Sequence, residues 1–199
     1  MGTTELQIKQ NALILLGQVP IQTLADETDQ NAIVQARYPV VKKSFLTETL
    51  WNFTLKTVQL SQSTGAPDGR FLYEYALPSD CVSDGVVALY PSDSQNVDHT
   101  LDYVVQDGFV RTDLTEVWVD YQYDVDESDF PDYVTDVICH ILAADTALAL
   151  TDNAKMSTMF ATRTDEKLLK AVRRNAKQSP ANNRINRFPL LDAHHGARS

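Results

Sequence analysis

The side chains best suited to chemistry are Cys139 and His140, adjacent in the chain and by type a nucleophile and a base. Neighbours on a helix point about 100° apart, so this thiol and imidazole cannot face each other as a dyad. Cys139 reads instead as a small buried hydrophobe. His194-His195 offers two metal-binding rings, but no Cys or acid cluster stands near it at ligand spacing, and it reads as the end of a tail. Asp124, Asp126, Glu127, Asp129 and Asp132 alternate with other residues in the manner of a calcium loop. The stretch lacks the glycine at its sixth position and the glutamate at its twelfth. A solvated, self-repelling loop is the better reading, with a weak cation site as the alternative. No GxGxxG, Walker or GxSxG pattern occurs, and carboxylates are too abundant for one pair to stand out. An enzyme is not expected, nor a cofactor or a resident metal.

The chain has 199 residues, 43% of them hydrophobic and 22% charged, which suits one globular domain or one domain with an inserted subdomain. Its two cysteines, Cys81 and Cys139, form no CxxC, so a reducing compartment is expected. No signal-peptide pattern and no membrane helix are expected, because no window reaches about 18 consecutive apolar residues. The net charge of −10 is unevenly spread. Residues 155–199 carry ten Lys and Arg against three acids, and the preceding 154 residues carry seven against 24. A basic end on an acidic body suits either nucleic acid or head-to-tail self-association. Its cations are interleaved with Leu168, Leu169, Val172 and Ala176, which favours a solvated or interface face of a helix.

Hydrophobic periodicity sets out the elements that hold these residues. Thr4 and Gln7 match a capping box for a helix running to Leu16, with Ile8, Ala12 and Leu15 as its stripe and Leu6, Leu13 and Leu16 widening it. Gly17 and Pro20 end it. A second helix is predicted from about Thr28 to Trp51, with Ile33, Val34, Val41, Phe45 and Trp51 inward and Ala32 and Ala36 allowing close approach. Lys42 and Lys43 fall on its wet side, and Pro39 either kinks it or divides it in two. The period then becomes two. Strands are predicted at 54–61, 71–77, 85–90, 101–105, 109–112 and 116–123, with loops at 64–69 and 92–99 and an Asp107-Gly108 hairpin turn. In the last strand Val117, Val119, Tyr121 and Tyr123 alternate against Trp118, Asp120 and Gln122. Pro131 opens a third helix with Val134, Val137, Ile138, Ile141, Leu142, Ala144 and Leu148 around its circumference, and a fourth, basic helix spans about 154–177.

The predicted fold is α+β, mainly α. Residues 1–53 and 130–179 form a four-helix bundle, residues 54–129 a β-rich insertion in a small antiparallel sheet or barrel, and residues 180–199 an extended C-terminal arm. The arm shows no period, yet it gathers Arg184, Ile185, Arg187, Phe188, Pro189, Leu190 and Leu191. Arginine beside aromatic and aliphatic anchors is typical of partner-binding segments, the alternative being a disordered tail.

Several phrases, in this order, resemble the tail tubular protein A or head-to-tail adaptor (connector) family of short-tailed phages. They are 11–21 (NALILLGQVPI) with 24–26 (LAD), 50–56 (LWNFTLK), 73–81 (YEYALPSDC) and 130–133 (FPDY) before an alanine-rich helix. The likeness covers about residues 5–175 and does not include the arm. It implies a structural virion protein, assembled in the host cytoplasm, whose copies form a ring, expected to hold 12, between the portal protein and the tail nozzle protein. The bundle would form the ring wall and the β insertion would project. The arm would climb onto the portal, and DNA would pass through the channel without specific binding. An acidic body suits such a channel, since like charge limits counterion-driven binding. Lys167, Lys170, Arg173 and Arg174 of the basic helix would contact an acidic neighbour in a closing ring. The alternatives are a cell-wall hydrolase associated with the tail, using two carboxylates about 5 to 9 Å apart, and a DNA-binding module using Arg173, Arg174 and Lys177.

Overall fold

In a computed structural model, which describes residues 2–64, 69–91 and 102–178, the chain forms four α-helices and six strands of α+β type. Helix α1 (Glu5–Leu15) begins with a reciprocal cap, since Thr4 Oγ1 accepts from the Gln7 amide while the Gln7 side chain accepts from the Thr4 amide. It ends where Gly17 takes a left-handed φ of 71°. Gln18 N–H then donates to Leu13 O, and Gly17 N–H to Ile14 O, both at 2.9 Å. Ile8, Ala12, Leu13 and Leu16 are buried, whereas Leu15 lies on the exposed side.

Helix α2 (Asp29–Glu48) is capped by the Thr28 hydroxyl and runs through Pro39 as a single helix. Its core face is Val34, Tyr38, Val41, Phe45 and Leu46. Ala32 and Ala36, expected to allow close approach, are exposed, and the bulkier Tyr38 and Leu46 fill the core. Pro131 precedes α3 (Asp132–Thr151), and Asp152 closes it in the left-handed region at φ 50°. Asn153 Oδ1 accepts from Met156 N–H at 3.2 Å to begin α4 (Ala154–Gln178).

Helices α1, α2 and α4 all pack on α3, and one core cluster joins Ile8, Tyr38, Phe45, Trp51, Phe130, Ile138, Leu142 and Phe160. The 20 residues of α3 include a window of mean hydropathy 1.5, long and apolar enough to cross a membrane, contrary to the expectation from runs of apolar residues. The reason is its position. A helix covered by three others carries little charge, and here the side chains of Ala143, Thr146 and Ala147 are buried between neighbours. Leu148, expected inside, is 55% exposed.

The strands are β1 (Leu55–Gln59), β2 (Tyr73–Ala76), β3 (Cys81–Tyr90), β4 (Tyr103–Gln106), β5 (Phe109–Thr112) and β6 (Trp118–Tyr123). They form two three-stranded antiparallel sheets, ordered β1-β6-β3 and β2-β5-β4, rather than one sheet or a barrel. Leu89, Val119 and Tyr121 of the first meet Tyr75 and Val110 of the second in a shared core. Asp107 and Gly108 both have positive φ, 55° and 81°, as a two-residue turn between β4 and β5 requires. β3 begins earlier than its alternation suggests because register shifts on either side of Val86 break the period.

Strand β6 departs most from its pattern. Alternation sets Asp120 and Gln122 on the face opposite Val119 and Tyr121, and both are buried, because β6 is central in its sheet and the end of α2 covers the second face at Gln122. Asp120 accepts from Thr57 Oγ1 and from the Tyr90 hydroxyl, each at 2.5 Å. Gln122 Nε2 donates to Leu46 O at 3.4 Å, Thr49 O at 3.1 Å and Thr54 Oγ1 at 3.2 Å. From the opposite side Asn175 of α4 accepts from Asn52 N–H and donates to Leu50 O, both at 2.9 Å. Trp51 Nε1 donates to Phe45 O at 2.8 Å, with its ring stacked on Phe45 at 4.5 Å.

Replacing Asn175 by Ala leaves one donor and one acceptor open at this junction, at about 1–3 kcal/mol for each buried group. Asn175→Ala is therefore expected to lower stability by about 2–3 kcal/mol in urea unfolding, with an unchanged m-value. A loss below about 1 kcal/mol would mean that water replaces the amide without penalty.

Candidate interaction surface on the fourth helix

Helix α4 divides its faces by charge. Phe160, Thr164, Ala171 and Asn175 are buried, with Leu168 and Val172 half-buried beside them. Arg163, Glu166, Lys170, Arg173 and Lys177 are exposed. The inward side is seated on α3 by polar contacts as well as by packing. Thr164 Oγ1 donates to His140 O at 3.1 Å, Lys167 pairs with Asp136, and the Arg174 guanidinium lies 4.8 Å over the Tyr133 ring. The Tyr133 hydroxyl donates to Gln178 Oε1 at 3.3 Å. Burial pushes the Tyr133 phenol up, and the Arg174 cation opposes this.

The four cations expected as ring contacts thus differ. Lys167 and Arg174 already have partners within the chain, an acid and an aromatic ring. Lys170 and Arg173 are exposed, and among the described residues neither has a carboxylate at ion-pair distance. The arm residues Arg184, Ile185, Arg187, Phe188, Pro189, Leu190 and Leu191 lie outside the described residues, as do His194 and His195.

The acidic stretch before α3 is not a self-repelling loop. Asp124 and Glu127 hold Lys42 of α2 at 3.0 and 3.2 Å, and Glu127 accepts from the Tyr38 hydroxyl at 2.8 Å. Asp126 caps the short 3-10 turn through Ser128 N–H at 2.9 Å. Val125 and Phe130 are buried between these acids, which anchors the stretch. Lys42 was placed on the wet side of α2, but only 16% of its side chain is exposed. Burial alone would lower its pKa, yet Asp124 and Glu127 outweigh this and raise it. Burial and the neighbouring Glu127 carboxylate together push Tyr38 up. Nothing local in sequence links residue 42 to residues 124–127, so the pairing was missed.

Lys9 was missed although Glu5 lies one helical turn before it, because Gln35 and Tyr38, its other partners, belong to α2. This lysine is fully buried, paired with Glu5, donating to Gln35 Oε1 at 2.5 Å and lying 5.1 Å from the Tyr38 ring centre. Glu5, Tyr38, Lys42, Asp124 and Glu127 border a cleft of about 450 Å³ between α2, the start of β3 and the acidic stretch. Asp80 lines it too, accepting from Lys56 at 3.1 Å and from the Tyr121 hydroxyl at 3.0 Å. Burial would raise the Asp80 carboxyl, but these donors outweigh it and hold it below its usual range. Every charged group named here already has an opposite charge or a donor beside it, so the arrangement locks α2 to the strand layer.

Cys139 Sγ lies 3.6 Å from Ile8 O, while His140 Nδ1 sits 2.9 Å from Asp136 O. The two side chains have separate partners, as their helical spacing predicts. Burial pushes the Cys139 thiol up to about 12, so little of it is thiolate at neutral pH. Cys81 is half-buried, its thiol raised chiefly by burial and then by Asp80. At pH 8, iodoacetamide is expected to modify Cys81 slowly in the native protein and Cys139 only after denaturant is added, as read by peptide mass. Labelling of Cys139 first would show that α1 parts readily from α3. Comparison of the sequence with protein-family models and with curated proteins gives no match.

Proposed function

We propose that the chain is a structural subunit of a head-to-tail adaptor ring, expected to hold 12 copies, between the portal and the tail nozzle of a short-tailed phage. In this reading the helices act as a four-helix bundle in the ring wall. The two sheets project from it, and residues 180–199 reach the portal. The observation that carries it is the charge division of α4. Lys170 and Arg173 face outward without an intrachain acid among the described residues, on a chain of net charge −10. A basic face on one copy and acidic surface on the next make a heterologous contact, the type that closes a ring. The order of helices and strands, with the quoted sequence phrases, supports the same reading.

DNA binding is the second reading, favoured by the joint exposure of Arg173, Arg174 and Lys177 near the end of α4. Mass photometry of the protein mixed with its portal ring separates the two. The ring reading expects about twelve copies per portal, lost when residues 180–199 are deleted. Absence of any complex across a range of salt, together with salt-sensitive binding to duplex DNA, would replace it by the second.

A further inference from the structure

Between α3 and α4 lies a notch of about 220 Å³, lined by Tyr133, Asp136, Lys167, Lys170 and Arg174 among others. On α4 these cations stand three or four residues apart, so they share one side of the helix. Lys167 is neutralised by Asp136, which leaves Lys170 and Arg174 as the uncompensated charges at the rim. Arg174 is held flat over Tyr133, and that ring is tethered in turn by its bond to Gln178. A guanidinium stacked in this way keeps its in-plane N–H fork free and pre-ordered.

We propose that this notch is an anion-binding site that takes a carboxylate side chain presented by a second copy of the chain. Arg174 grips it through paired N–H groups and Lys170 covers its second edge. Tyr133 and the Lys167–Asp136 pair are positioning groups. Arg173 stands outside the notch lining and takes no part in it. The composition of the chain favours a carboxylate over a phosphate as the occupant. Residues 1–154 carry 24 acids against seven cations, so a neighbouring copy brings carboxylates with it. The source of the carboxylate rests on the ring reading; the notch itself does not.

The test uses the whole chain. Sodium acetate, titrated at constant ionic strength, is expected to shift the Arg174 Nε–H and Lys170 resonances saturably in NMR spectra. Arg174→Ala and Lys170→Ala should each weaken this at least tenfold, Tyr133→Leu should weaken it, and Arg173→Ala should leave it unchanged. In sedimentation velocity at low salt, Arg174→Ala should weaken self-association at least tenfold and Lys155→Ala, exposed at the far end of α4, should not. Equal loss of acetate binding in Arg173→Ala, or no saturable shift with acetate, would overturn the site even if the portal complex forms normally. Shifts with inorganic phosphate but not with acetate would overturn its carboxylate selectivity. Acetate binding without any self-association of the wild-type chain would refute the second copy as donor and count against the ring, while leaving the notch in place.

Discussion

The carbonyls left open where α2 ends set the terms for the rest of the molecule. A helix terminus cannot be buried unless its last acceptors find donors. Here Phe45 O, Leu46 O, Thr49 O and Leu50 O are reached by Trp51, Gln122 and Asn175. One donor lies beside the helix end in sequence, one comes from the central strand of the first sheet and one from the last helix. The strand layer and α4 are thus referred to a single point, and the tilt of each is fixed by hydrogen-bond geometry as well as by packing. The surrounding apolar contacts among Trp51, Phe53 and Phe130 exclude water and strengthen those bonds.

A second tier of contacts is ionic. Lys42 with Asp124 and Glu127, Lys56 with Asp80, and Arg37 with Asp145 each join segments distant in sequence. The more exposed of these, Lys56 with Asp80 and Arg37 with Asp145, contribute roughly 0–1 kcal/mol each. The buried Lys9 differs, because a charge stripped of water must keep its partners, and Glu5, Gln35 and Tyr38 provide them. Such a site penalises any other packing of α1 on α2 more than it stabilises this one.

Elements governed by local rules were legible in the sequence. The Thr4–Gln7 box, the Gly17 stop, the Asp107-Gly108 turn and the entry to α3 all follow from residues within a few positions of one another. What local pattern could not supply was the enclosure of polar side chains, and at Lys42, expected on the wet side, it misled. Asp120, Gln122, Lys9 and Lys42 are polar by type and enclosed by context, because their partners lie in other elements. Alternation in β6 locates its two faces correctly but cannot say that both are covered. Of the residues singled out for contact, those on α4 are placed by its amphipathic period, and the intrachain engagement of Lys167 and Arg174 needed the position of α3.

The route of the chain also has a kinetic side. Ile8 and Cys139 touch although 131 residues separate them, while β4 and β5 meet across a two-residue turn. During synthesis from the N-terminus, α1 and α2 leave the ribosome with their apolar faces uncovered and stay so until α3 follows. The strands between them need only one another for most of their pairing. Closing the long loop carries an entropic cost that grows with the logarithm of its length, and a folded strand layer shortens the loop before α3 arrives. The two sheets therefore act as an internal splint, bringing Trp51 and Phe130 close enough for the helices to find one another.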